Sequence, residues 1–442
     1  MCRLGVMLPC GGWTRRLTAA LILATFVLVG CAPGDSGSGS TTTSSPTTTA
    51  TTATVVAPGE HTVSVTGGAG SGSYVAGSTV HVWSAVSTTD GVAQRWSGDD
   101  GLLTEPDEWH TTFVMPDRDV SLVATSTTQT VPLTVETFTG VTSAAKTVRY
   151  FFPTQMRGVV VFNHGTGGNS GFIEATESLP IALALVADGY GVVSTEAEEA
   201  AVGDLNGDEK QRWSNRAVAD NVDLGNLQVM FEAFEDRGLI PAGTPKFALG
   251  MSAGGSFSHL LGTVAATGVA PNFPQLQFSA VVGYCSDATA SRSAAVSTTP
   301  SAWFLCGAED NPDVSNAEAR ANEAKMRARG VPTDYVEHRP SPLHDERFAR
   351  IDGIDPPTSA AIAGELRAAG FVDQAGSVIV DGDEIAATVL ANPAAFPTMS
   401  SNPRGNMIRA QIKTMRAEHS MYADSTRRNI DFFDRFNPTP AP

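Results

Sequence analysis

Residues 250–254 read Gly-Met-Ser-Ala-Gly, and Gly255 follows. A serine hydroxyl is a poor nucleophile until it is held clear of the chain and a neighbouring base takes its proton. The G-x-S-x-G spacing does the first job when it joins a strand to a helix, because glycines let the two elements close on a tight turn that lifts the serine. Phe247-Ala248-Leu249 predicts that strand and 256–262 predicts that helix, so Ser252 is a candidate for attack on an acyl carbon. Such attack creates an oxyanion, which needs N–H donors already in place. His164-Gly165-Thr166-Gly167-Gly168 directly follows the apolar run 158–162 and can supply one donor near Gly165 or Thr166. Ala253, just after the serine, can supply the other. A phosphate loop is excluded, since no Gly-Lys-Ser/Thr follows the glycines. No His/Cys/Asp spacing suggests a catalytic metal, and no cofactor is expected.

These motifs need a sheet to hold them. Gly158–Phe162 is continuously apolar, as expected of a strand buried on both faces. Strands are also expected at 131–137, 146–152, 190–194, 246–250, 301–306 and 333–338, with helices near 179–188, 218–237 and 315–329. Strand-helix alternation over some 300 residues predicts a mostly parallel α/β sheet.

With NHGTGG and GMSAGG in that setting, residues 130–437 resemble the α/β-hydrolase superfamily, particularly secreted esterases and dienelactone-hydrolase-like proteins. The resemblance implies a serine, an acid and a histidine in that chain order. In the superfamily the acid sits in the turn after the strand that 301–306 would form. The G-x-x-D of Gly307–Asp310 fits, with Glu309 and Asp313 as rivals. Two histidines compete for the base. His419 stands just before a last amphipathic helix carrying Ile430, Phe432 and Phe433, which Asp424 or Ser425 could cap. His344 is where a hydrolase without insertions would place it. Choosing His419 makes 345–418 a helical, lid-like insertion. His164 precedes the serine and reads as a structural member of the oxyanion loop.

The chain has 442 residues, 42% hydrophobic and 17% charged, with 29 Lys+Arg against 46 Asp+Glu. An acidic surface without basic clusters repels phosphate backbones, so no nucleic-acid partner is expected. Arg15-Arg16 precede the apolar run 17–30, too short to span a membrane comfortably and right for a signal core. Leu28-Val-Gly-Cys31 resembles the lipobox of bacterial lipoproteins, which implies cleavage over 1–30 and lipidation of Cys31 as a membrane anchor. Cleavage there removes three basic residues and no acids, moving the net charge from −17 to −20. Residues 31–58, rich in Ser and Thr, read as a solvated tether. Residues 59–128 have period-two patterning throughout, with Trp83, Trp96, Trp109 and Phe113 as apolar anchors. That module resembles internalin B-repeat-like units of bacterial surface proteins, which implies a spacer or adhesive role.

Asp204-Leu-Asn-Gly-Asp208-Glu209 imitates a calcium loop but lacks the glycine and the terminal glutamate. Cys285 and Cys306 fall near the ends of successive strands, where a disulfide is an open alternative. The expected whole is an α/β-hydrolase with a helical insertion, preceded by a small all-β module and acting on a carboxylic ester. The alternatives are a peptidase or polyester depolymerase on the same fold, or an inactive surface adhesion protein.

Overall fold

The run 158–163 is buried at every position, and its neighbours in the sheet are nearly as closed. A computed structural model describes residues 59–84, 91–205, 207–287, 294–308 and 310–438. The expected signal segment, the tether, Cys31 and Glu309 lie outside the described residues. Eight strands form the main sheet: β1 Thr134–Thr139, β2 Ala145–Phe151, β3 Gly158–Asn163, β4 Tyr190–Ser194, β5 Lys246–Met251, β6 Phe278–Tyr284, β7 Ser301–Cys306 and β8 Thr333–His338. Their order is β1-β2-β4-β3-β5-β6-β7-β8. β2 runs antiparallel to both neighbours, and every other adjacent pair is parallel.

Alternation within the buried strands divides them between two cores. Val160 and Phe162 face helices Ser178–Ala187 and Thr426–Asp434, meeting Ile181, Leu185, Ile430 and Phe433. Val159 and Val161 face helices Val222–Asp236 and Ala253–Leu261, meeting Leu227, Phe231, Phe257 and Leu260. The layers are therefore helix, sheet, helix. At the carboxyl ends of β6 and β7, Cys285 and Cys306 form a disulfide with Cα atoms 5.3 Å apart. Among the described residues no helix is long and apolar enough to cross a membrane.

Between β8 and the last helix come Pro356–Ala368, Gly382–Ala391 and Gly405–Met415, the helices of the insertion. Ile362, Leu366, Ile385, Ile408 and Ile412 give it a core of its own. Asp355 and Asp381 cap two of these helices by accepting N–H bonds from Thr358 and from Asp383 and Glu384.

Among its described residues, the regular structure of the amino-terminal module is all strand apart from one short 3-10 helix at Asp100–Leu102. Its core is Val63, Val80, Val82, Trp96, Phe113 and Leu122. Trp83 and Trp109 lie outside that core and face the rest of the chain. Trp83 stacks on His344 at 4.3 Å, and the Arg350 guanidinium lies 3.6 Å over Trp109. The module is thus packed against the α/β region rather than standing away from it as a spacer.

The last helix shows the cost of that arrangement most clearly. A helix amino terminus buried from water must find acceptors for its first N–H groups. Glu108 of the module supplies them, its two carboxylate oxygens accepting from Arg427 N–H at 3.1 Å and Arg428 N–H at 2.9 Å. The expected cap is therefore corrected: Ser425 makes no side-chain cap bond, and Asp424 turns away to His110 at 2.6 Å.

Candidate active site

Ser252 sits between β5 and helix Ala253–Leu261 with φ 57° and ψ −121°. A non-glycine residue held at positive φ is strained, and here the flanking glycines explain how the strain is kept. A Cβ on Gly254 would strike the Asn163 carbonyl, and one on Gly250 would strike the Gly254 backbone. Ser252 N–H donates to the Tyr284 carbonyl of β6 at 2.9 Å, pinning the elbow to the next strand.

The glycine loop after β3 reaches the same place: a Cβ built on Gly165 would lie 3.5 Å from Ser252 Cβ. His164 is fully buried and shapes the loop. Its Nδ1 bonds the Gly165 carbonyl at 2.7 Å, while its Nε2 accepts from Ala197 N–H at 3.1 Å. Those two bonds require the neutral ring protonated on Nδ1. Burial pushes its pKa down, consistent with that form. The Gly165 carbonyl also accepts from Gly168 N–H at 3.0 Å. With that carbonyl pinned on one side, the Thr166 N–H of the same trans peptide points to the other. Ala253 opens its helix, so its N–H is among those with no intrahelical acceptor. Gly165, Thr166 and Ala253, the positions expected to supply donors, line one cavity with Ser252.

His419 lies on the segment between helix Gly405–Met415 and the last helix. It lines one cavity of about 440 Å³ with Ser252, Gly165, Thr166 and Ala253. Asp310, exposed on the turn after β7, accepts the His419 backbone N–H at 2.6 Å. Main-chain bonds hold the segment from both sides: Ala308 N–H donates to the Ala417 carbonyl at 3.0 Å, and Ala417 adopts φ 53°. Burial pushes the imidazole pKa below its ordinary value, against the Asp310 charge that raises it. A neutral imidazole at pH 7 is the form a general base needs.

His344 is elsewhere. It stacks on Trp83 between the module and the insertion, and its Nδ1 meets Glu346 at 3.3 Å. Burial pushes its pKa down to about 4. The alternative base is therefore corrected: the insertion folds back over the module's Trp83 and takes His344 with it. The lid-like role of 345–418 is corrected too, since among the described residues none of that range lines the Ser252 cavity.

Other residues, not singled out by sequence, form the cavity walls. Lys210 and Arg212 come from the loop that imitates a calcium site, where Asp204 instead accepts Gly207 and Glu209 N–H bonds as a turn. Lys210 meets Asp313 across the opening at 3.3 Å. Trp213 donates to the His164 carbonyl at 2.8 Å and stacks on Phe257. Asp287 is buried in the wall after β6, and desolvation raises its pKa to about 6. Cys285, Cys306 and His419 bring metal-type ligand atoms within 4.8 Å of one another, but the disulfide has consumed two of the three.

Strand order, a single antiparallel strand, and a serine at a left-handed elbow after β5 define the α/β-hydrolase fold. The chain is similar in structure to brefeldin A esterase, a bacterial homologue of human hormone-sensitive lipase. That match has 14% identity over 47% of this chain and 68% of the other, at TM-score 0.32. A protein described as a carboxylesterase from Lactobacillus plantarum is similar at 15% identity, over 46% and 85%, with TM-score 0.35. The acylaminoacyl peptidase of Pyrococcus horikoshii is similar at 10% identity, over 50% and 41%, with TM-score 0.34. No protein-family model and no curated protein matches the chain. The fold follows from the strand order and the elbow, independently of these low scores.

Proposed function

We propose that the protein is a serine hydrolase that cleaves carboxylic esters through an acyl-enzyme. One observation carries the reading: Ser252, on its strained elbow, shares a cavity with a desolvated His419 whose backbone is held by Asp310. His419 takes the Ser252 proton as Oγ attacks the acyl carbon. The Ala253 N–H and the Gly165–Thr166 segment receive the oxyanion. The imidazolium then protonates the leaving alcohol, and water repeats the cycle on the acyl-enzyme. Asp310 fixes the histidine through the main chain and stabilises the imidazolium by its charge.

Lys210, Arg212, Asn215, Asn311, Asp313 and Asp287 put charged and amide groups into walls that also carry the apolar Trp213, Met251 and Val314. Such a cavity favours a short or polar acyl group over a long alkyl chain. We propose further that the enzyme is exported to the cell envelope of a bacterium and held on its extracellular face through lipidated Cys31 and the Ser/Thr-rich segment. Metabolic labelling with an alkynyl fatty acid, lost in Cys31→Ala, tests the tether. A fluorophosphonate probe tests the chemistry. It should modify wild type at Ser252 and leave Ser252→Ala unlabelled, whereas an unreactive wild type would contradict the reading.

A further inference from the structure

Cys285 and Cys306, the two cysteines of the folded region, meet under the histidine segment. β6 ends at Tyr284, whose carbonyl holds the Ser252 N–H, and Cys285 is the next residue. β7 ends at Cys306, four residues before Asp310. The disulfide therefore ties the strand bonded to the nucleophile elbow to the strand that leads to the acid. Cys285 adopts φ 44°, a left-handed backbone that a β-carbon disfavours, while its N–H donates to the Phe304 carbonyl at 2.8 Å. Both sulfurs lie against the Ser420 carbonyl, at 3.3 and 3.6 Å, and within 4.8 Å of an imidazole nitrogen of His419. The disulfide is buried, with the cysteines 0% and 4% exposed, so on this side the imidazole meets sulfur instead of water.

We propose that the Cys285–Cys306 disulfide is a positioning element for hydrolysis, the floor on which the His419 segment rests at the height Ser252 requires. The proposal rests on Ser252 and His419 being nucleophile and base. A base displaced by about 1 Å can cost on the order of 10²-fold in rate. The disulfide also excludes water, so its loss admits solvent to the ring. The charged groups facing His419 stay in place when the bridge is removed. They are Asp310 and Asp313 after β7, Lys413 on the preceding helix, and Lys210, Arg212 and Asp287 around the cavity.

The test compares wild type with Cys285→Ala/Cys306→Ala, using a short nitrophenyl ester well below each protein's melting temperature. In parallel, folded wild type is treated with a water-soluble phosphine. The S–S bond breaks to two thiols while the phosphine takes oxygen from water to become its oxide, and thiol counting by mass confirms cleavage. The expected result is a kcat lowered by ~10–100-fold with KM nearly unchanged. The acid limb of the kcat profile should move up toward the ordinary histidine value, and reoxidation of the reduced protein should restore both. If the bridge only stabilises the fold, the melting temperature falls while kcat and the acid limb stay where they were. That result overturns the proposal. An oxidised wild type that neither turns over ester nor labels at Ser252 overturns the hydrolase reading and the proposal with it.

Discussion

The segment 419–424 joins two meetings of a histidine with a carboxylate, one through the main chain and one through the ring. At its start, the His419 main-chain N–H donates to exposed Asp310 beside an open cavity and a strained serine. At its end, buried Asp424 bonds His110 of the β module at 2.6 Å, with His338 at 3.9 Å and no nucleophilic serine described beside it. Burial works against the Asp424 charge, yet His338, His110 and Arg347 hold its pKa well below the carboxylate range. The first opens on a cavity shared with Ser252; the second is sealed and serves cohesion. A histidine-carboxylate pair is therefore not a site by itself. What makes one is a cavity that brings a nucleophile to it.

Separating the two pairs experimentally gives a graded series. Ser252→Ala should lower turnover most, by up to ~10⁶-fold, with the melting temperature unchanged or raised as elbow strain is relieved. Asp310→Ala should lower kcat by ~10²–10⁴-fold with little loss of stability, because the carboxylate is exposed. Asp424→Ala should do the reverse. It leaves buried Arg347 without one of its counter-charges and His110 without its acceptor, costing about 3–5 kcal/mol in denaturant unfolding while kcat at low temperature is largely retained.

Glu108 gives a smaller effect with a defined sign. Burial raises its pKa from 4.5 to about 8 against the pull of two N–H donors. In that window the folded protein binds a proton that the unfolded chain has released, so stability falls as pH rises. Near pH 6.5 the buried histidines with lowered pKa work the other way, because the unfolded chain still binds their protons; between about pH 7.5 and 8.5 they are neutral in both states, leaving Glu108 to dominate. Thermal melts should decline across that interval in wild type and flatten in Glu108→Gln. Smallest is Lys210→Gln, which removes an exposed ion pair with Asp313. It should change stability by less than ~1 kcal/mol and act, if anywhere, on KM.

The Ser252 end of the sheet was legible because its signals are local. Gly250, Gly254 and the apolar strand at 158–162 impose their geometry on adjacent residues, and the edges of 190–194, 301–306 and 333–338 agree with the expected strands. The module face was not legible, because its contacts span more than 300 residues of sequence, as between Glu108 and Arg428. Nothing around Trp83 or Trp109 in sequence distinguishes a tryptophan for its own core from one that docks on His344 or Arg350. The base was ambiguous for the same reason. His344 follows β8 closely in sequence, but the insertion's own core carries the chain away before 419 brings it back.

The central claim is that His419, and not His344, serves Ser252. Its most direct measurement is kcat for a short nitrophenyl ester on His419→Ala and His344→Ala, side by side, below the melting temperature of both. The account predicts a loss of at least ~10³-fold for His419→Ala. It predicts near-normal kcat with reduced stability for His344→Ala, whose ring packs on Trp83. A His344→Ala protein that is folded but inactive, beside an active His419→Ala, would contradict it.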